Sequence, residues 1–212
     1  QKTGHTILER YGMSETGMNT SNPYNGERKG GTVGLPLPGT NLRIADENNA
    51  PLPAGEIGGI QVKGDNVFSG YWRMPEKTRE EFTDDGYFKT GDVGKTDEQG
   101  YVSIVGRSKD LVISGGYNVY PKEIEELIDA MPGVVESAVI GVPHPDFGEA
   151  VTAVVVKKKD ANELTDVAII QALKKEIANY KVPKKVFFVD DLPRNAMGKV
   201  QKNVLRETYN TR

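Results

Sequence analysis

Two periods of hydrophobic patterning divide this chain. In its first half, apolar positions come in short alternating runs at 41–45, 56–63, 86–90 and 101–105, the two-residue period of half-buried strands. Turn-forming stretches such as Asp84-Asp85-Gly86 and Asp97-Glu98-Gln99-Gly100 separate them, because Asp side chains bond their own backbone and Gly accepts a positive φ. Short strands at this spacing predict a small barrel or sandwich. One helix is predicted at 75–82, with Pro75 at its start, where a missing N–H costs nothing.

Beyond Arg107 the pattern lengthens. A short strand at 110–113 meets Gly115-Gly116. Pro121 then opens an amphipathic helix at 121–130, with Ile124, Leu127 and Ile128 on one face. Glu123, Glu125 and Glu126 fall early in it, where the helix dipole favours anions. Runs at 134–142, 150–156 and 186–189 read as strands. Thr165 is placed to cap a helix at 166–179, with Val167, Ile170, Leu173 and Ile177 inward. A last helix is predicted at Lys202–Tyr209. The chain is therefore of the α+β class, with a change of pattern at the short polar segment 106–110, either a hinge or an ordinary loop.

Composition narrows the functions open to it. Of 212 residues, 37% are hydrophobic and 27% charged, with a net charge of -3, as in a soluble globular protein. The charges are interspersed, so neither a nucleic-acid stripe nor a polybasic membrane anchor is expected. The basic run Lys157-Lys158-Lys159 reads as a solvated strand end. With no cysteine, thiol catalysis and disulfides are excluded. With only His5 and His144, a multi-histidine metal site is not expected. No run is long enough to span a bilayer, and a cytoplasmic location is the expectation. The chain opens at Gln1 and reads as the C-terminal part of something longer.

Several clusters carry candidate chemistry, each with an ordinary structural explanation beside it. Pro193-Arg194-Asn195-Ala196-Met197-Gly198-Lys199 puts a cation on a Gly-containing turn between a strand and the last helix. A Lys there is a mobile charge with three donors, or a plain surface lysine. Tyr11-Gly12-Met13-Ser14-Glu15-Thr16 offers a ring, a hydroxyl and a carboxylate, or a polar loop. Asp92, in Thr90-Gly91-Asp92, can accept both hydroxyls of a ribose, or sit in a turn. Arg107 offers a planar fork to a ribose or phosphate, or a surface ion pair. Gly115 and Gly116 let backbone approach a thin ligand, or make a tight turn. His144 lies between two prolines, is expected in a rigid turn, and is read as structural. No GxxxxGK[ST], strand-linked GxGxxG or GxSxG motif occurs.

In this order the clusters resemble the successive motifs of the adenylate-forming enzymes: Tyr11 to Glu15, Thr90-Gly91-Asp92, Gly106-Arg107-Ser108-Lys109-Asp110, Pro121-Lys122-Glu123-Ile124-Glu125, and Pro193 to Lys199. Residues 9–16 and 18–24 look most like malonyl-CoA synthetases. The resemblance covers nearly the whole chain. It implies that 1–107 is the end of a large N-terminal domain, mostly its β-barrel subdomain. It makes 108–110 a hinge centred on Lys109, and 111–212 a mobile C-terminal α+β domain. It implies ATP, Mg²⁺ and coenzyme A, with malonate or methylmalonate as the acid. By the same resemblance Lys199 would be the adenylation lysine, Tyr11 would face the adenine, Ser14 the α-phosphate and Glu15 the Mg²⁺. Asp92 would hold the ribose hydroxyls with Arg107 beside it, and Gly115 and Gly116 would line the pantetheine tunnel. A protein lysine acetyltransferase and a deacetylase acting on Lys199 are implied as partners. Two alternatives stand beside this one: an adenylation domain loading a carrier protein, and a non-catalytic module. The family's upstream phosphate loop and most of the acid pocket have no counterpart in these residues, so the fragment alone is expected to be inactive.

Overall fold

The computed structural model describes residues 4, 7–161 and 163–210. Two compact units divide the chain, Gln1–Ser108 and Lys109–Arg212.

In the first unit, β1 (Arg10–Met13), β2 (Gly17–Ser21) and β3 (Leu35–Pro36) form an antiparallel sheet in that order. A four-stranded antiparallel meander follows: β4 (Thr40–Ala45), β5 (Gly58–Gly64), β6 (Phe88–Thr96) and β7 (Val102–Arg107), with α1 (Pro75–Glu81) between β5 and β6. The register pairs Leu42 with Val62 and Ile44 with Ile60. The alternation read from sequence thus puts one apolar face inward. Tyr11 of β1 joins Ile44, Ile60, Val62 and Val102 in the core. No pairing among the described residues closes the meander into a barrel. Instead, Val102 exchanges backbone hydrogen bonds with Val33 and Gly34, which covers the start of the edge strand β7.

The second unit begins with a 3-10 turn, Ser108–Asp110, which straddles the division. Next come β8 (Val112–Ser114), β9 (Tyr117–Val119), α2 (Pro121–Asp129), β10 (Val134–His144), β11 (Gly148–Lys157), α3 (Asp166–Glu176), β12 (Lys185–Val189) and α4 (Lys202–Tyr209). The sheet runs β10-β11-β8-β9, and β12 lies parallel to β11. Helices cover both faces, which explains why β10 and β11 read as nearly continuous apolar runs. Ile124, Ile128, Ile169 and Leu173 of α2 and α3 meet Val139, Val151, Ala153 and Val155. Leu205 and Tyr209 of α4 meet Ala138, Ile140, Val154 and Val156 on the opposite face. Burying each of these Val, Ile and Leu side chains stabilises by about 1.5–3 kcal/mol.

Three sequence expectations shift. Val167 is 54% exposed and Ile169 takes the inward position in α3, so the buried stripe is Ile169 and Leu173, one turn apart. The helix stops at Glu176, because Ile177 turns extended (φ -131°, ψ 160°). The Thr165 cap forms as expected, its Oγ1 accepting from Ala168 N at 3.2 Å. His144 is not in a turn but ends β10, with Pro143 paired to Glu149 in the strand.

Candidate functional site

In the first unit, Thr90-Gly91-Asp92 lies inside β6 and is not a turn after it. Gln61 pairs with Lys89 and Gly59 with Val93, so Ile60 faces three residues. Gly91 takes φ +72° within this irregularity, a conformation that costs a residue with a Cβ. A turn-like sequence therefore becomes a strand bulge that re-aims the next side chain. Two contacts hold the distortion: Thr90 Oγ1 donates to Ile60 O at 2.8 Å, and Ser108 Oγ donates to Gly91 O at 3.1 Å.

The re-aimed side chain is Asp92, which is buried. Tyr11 Oη donates to Asp92 Oδ2 at 2.6 Å, and Arg107 Nε lies 3.2 Å from Oδ1. Arg107 reaches it because Asp92 and Arg107 are direct partners across β6 and β7. Backbone pairing thus aims the ion pair. Tyr11 sits only 8% exposed in the core. Burial first, and then its hydrogen bond to Asp92, hold its phenol well above the ordinary tyrosine value. It stays a donor at any physiological pH. Each Asp92 oxygen has one partner among the described residues, and a carboxylate offers about four lone-pair positions, so acceptor capacity remains for a ligand.

Ser14 and Glu15 occupy the turn between β1 and β2, which Thr16 N closes onto Met13 O at 3.2 Å. Ser14 is exposed and Glu15 half-buried. Tyr71 Oη donates to Glu15 Oε1 at 3.1 Å. Burial, and then the neighbouring Glu15, raise the Tyr71 phenol.

In the second unit, Lys199 closes a tight loop built on Asn195. The Asn195 side chain accepts from Met197 N at 3.0 Å and from Lys199 N at 2.9 Å, and Asn195 N donates to Lys199 O at 2.9 Å. Arg194 donates to Gly198 O at 2.7 Å and pairs with Glu136. The loop backbone is therefore fixed. The Lys199 side chain is exposed, and its ammonium has no ion-pair partner among the described residues. Gly115 and Gly116, both at positive φ (+59° and +81°), form the two-residue turn of the β8–β9 hairpin, the turn type such hairpins favour. Tyr117 stacks on Tyr180 at 4.6 Å beside this turn, and Gly115 N donates to Phe147 O at 2.8 Å. Lys109 lies in the 3-10 turn, where Arg206 of α4 donates to Lys109 O at 3.3 Å and to Asp110 Oδ1 at 2.9 Å.

Residues 1–72 match the AMP-binding enzyme family, and residues 123–199 match the AMP-binding enzyme C-terminal domain. The chain belongs to the AMP-binding enzymes. A probable CoA ligase from Humulus lupulus is 46% identical over 97% of this chain and 35% of its own length. A malonate–CoA ligase from Arabidopsis thaliana is 45% identical with the same coverage. The ATP-bound crystal structure of MatB from Rhodopseudomonas palustris is 67% identical, with a TM-score of 0.94 over 98% of this chain and 41% of that one. The chain thus spans 35% of the length of the first curated relatives it matches.

Within this chain the structure brings Tyr11, Asp92 and Arg107 into one contact network. Ser14 and Glu15 share a turn in the same unit, and Lys199, Gly115 and Gly116 lie in the second. The sequence reading quoted Thr90 and Asn195 within their motifs but gave neither a role, and it missed Tyr71 and Arg206. Both quoted residues left a local signal: Asp92 N donates to Thr90 Oγ1 two residues back at 3.1 Å, and Asn195 stands four residues before the lysine in a turn, where Asx side chains bond the backbone. Tyr71 and Arg206 act across 56 and 97 positions of sequence. His144 makes local contacts: its Nδ1 accepts from Asp146 N at 3.2 Å, and its ring lies 4.7 Å from Phe147. His5 lies outside the described residues. Among them no three His, Cys, Asp or Glu side chains cluster as a metal site, and no helix is long and apolar enough to cross a membrane.

Proposed function

We propose that this chain is the C-terminal part of an ATP-dependent acid–CoA ligase that acts on malonate or methylmalonate. One observation carries the reading: a buried Asp92 held between Tyr11 and Arg107, in a chain whose second unit presents Lys199 on a fixed loop, with no ion-pair partner among the described residues. The choice of acid rests on the likeness to the Arabidopsis malonate–CoA ligase.

In the first half-reaction a carboxylate oxygen of the acid attacks the α-phosphorus of ATP. A new O–P bond forms and the bond to the pyrophosphate leaving group breaks, giving the acyl-adenylate. Asp92 accepts the ribose hydroxyls through its remaining lone pairs, with Arg107 at its rim. Tyr11 stands behind the nucleotide and keeps Asp92 aimed. Ser14 donates to the α-phosphate. Lys199 bridges the attacking carboxylate and the α-phosphate, where negative charge gathers in the transition state. Donors placed for that charge lower the barrier because they interact less with the ground state.

The donor set fits a magnesium ion held chiefly by ATP. Mg²⁺ in nucleotide sites needs only one or two protein carboxylates, and Glu15 offers one oxygen beyond the one Tyr71 engages. When bound, the ion would draw charge from the phosphate oxygens.

In the second half-reaction the thiol of coenzyme A attacks the acyl carbon. The C–S bond forms, the C–O bond to AMP breaks, and the thiol proton is released. Gly115 and Gly116 let backbone line the narrow path of the pantetheine arm. Both halves use one acyl group, so the second unit serves as a mobile domain turning about Lys109 at 108–110. Acetylation of Lys199 by a protein lysine acetyltransferase would remove its charge and silence the first half-reaction, and a deacetylase would restore it. The exposed loop around Lys199 supports that access.

The test uses the complete polypeptide that carries these residues. With ATP and coenzyme A it is offered malonate, methylmalonate, sulfoacetate and a long-chain fatty acid in parallel, and products are identified by mass. Malonyl-CoA or methylmalonyl-CoA with release of AMP is expected. A fatty acyl-CoA as the main product, or no thioester from any acid, would overturn the reading.

A further inference from the structure

The loop after β5 grips the turn that carries Glu15. Asn66 Nδ2 donates to Thr16 O at 2.7 Å and to Asn19 Oδ1 at 3.3 Å, and Asn66 Oδ1 accepts from Thr40 Oγ1 at 3.2 Å. Phe68 N donates to Glu15 O at 2.8 Å. Tyr71 Oη donates to the carboxylate of the same residue. Glu15 is thus held at both ends, by its main-chain carbonyl and by one side-chain oxygen.

Tyr71 is itself fixed. Its ring stands edge-on to Phe68 at 4.9 Å, and its N–H donates to Thr78 Oγ1 at 2.9 Å. A free Glu side chain rotates about three bonds, and ordering it on ligand binding costs entropy. Here the fold has done that ordering. The hydrogen bond engages Oε1 and leaves Oε2 without a protein partner among the described residues.

We infer that Tyr71 is a positioning residue that orients the Glu15 carboxylate toward the divalent cation carried by ATP. The inference rests on the reading of Glu15 as the carboxylate that faces this ion. Partners that orient a ligating carboxylate typically affect metal affinity or activity by about 10–100-fold. Tyr71→Phe deletes the hydroxyl and keeps the ring against Phe68, so it isolates the hydrogen bond.

The experiment measures Mn²⁺ affinity by electron paramagnetic resonance on the complete enzyme bound to a non-hydrolysable ATP analogue. Tyr71→Phe is expected to weaken Mn²⁺ by about 10-fold, with the melting temperature unmoved. Adding Tyr71→Phe to Glu15→Gln should weaken it no further. Weak Mn²⁺ binding by Glu15→Gln beside unchanged binding by Tyr71→Phe would overturn the role of Tyr71 and leave Glu15 standing. A further loss in the double variant would also overturn it, since Tyr71 would then act apart from Glu15. Unchanged binding by Glu15→Gln would remove the reading of Glu15 and the inference with it.

Discussion

The two units present their candidate groups in opposite ways. Asp92 is buried, with each oxygen engaged and a strand distorted to aim it. Lys199 is exposed, with its loop backbone tied by Asn195 and its ammonium unpaired among the described residues. On the proposed reading Asp92 recognises the ribose, and such a group gains from a rigid, desolvated setting. A group that must enter and leave a reaction gains from having no competing partner. The contrast predicts that damage to the first unit's site shows in stability as well as binding, whereas damage to Lys199 shows in chemistry alone.

The largest expected effect is Lys199→Ala in the complete enzyme. Acyl-CoA formation should fall by about 10²–10³-fold, with a stability change within about 0.5 kcal/mol, as for surface substitutions. A large drop in melting temperature would break the contrast from the lysine side. Asp92→Ala should raise the KM for ATP by about 10–100-fold, the loss of one or two hydrogen bonds to a charged acceptor. It should also destabilise the fold by about 2–4 kcal/mol, because Tyr11 is left buried without its partner. A kinetic loss with unchanged unfolding in urea would contradict the rigid half of the comparison.

Gly91→Ala comes next, costing about 1–2 kcal/mol for the left-handed backbone and weakening ATP because the carboxylate turns away. Tyr11→Phe should cost about 1 kcal/mol and carries a pH signature. The folded-state pKa of Tyr11 lies above its unfolded value near 10. Its contribution is whole below pH 10 and drains as the pH climbs, because the unfolded chain ionises first. The parent should therefore lose stability faster than Tyr11→Phe between pH 10 and 11 in chemical denaturation. The smallest effect is Thr16→Val. Thr16 is fully buried and its hydroxyl has no partner among the described residues, so the isosteric swap should be neutral or stabilise by up to about 1 kcal/mol. A loss above that would mean the hydroxyl is satisfied in solution.

Much of this was legible before the structure. Apolar alternation placed β4, β5 and β7, and the continuous runs of β10 and β11 agree with helices on both faces. Residue types that suit a nucleotide stood out at Tyr11, Asp92 and Lys199. What stayed hidden was set by register and distance. The bulge at Gly91 reads locally as a turn, because Thr-Gly-Asp suits both and only pairing with β5 decides. The buried face of α3 rotated by a residue, because a helix with Val167, Ile169 and Ile170 has apolar choices that only the sheet resolves. Tyr71 meets Glu15 across 56 positions, and no local pattern records that contact.

The central claim is that Lys199 serves adenylation and leaves thioester formation alone. The most direct measurement splits the two half-reactions in the Lys199→Ala complete enzyme. The account predicts that ATP–pyrophosphate exchange with malonate falls by about 100-fold or more. Thioester formation from preformed malonyl-adenylate and coenzyme A should stay within about threefold of the parent, because on the proposed reading the lysine acts only in the first transition state. An equal fall in both halves, or exchange that survives the substitution, would contradict it.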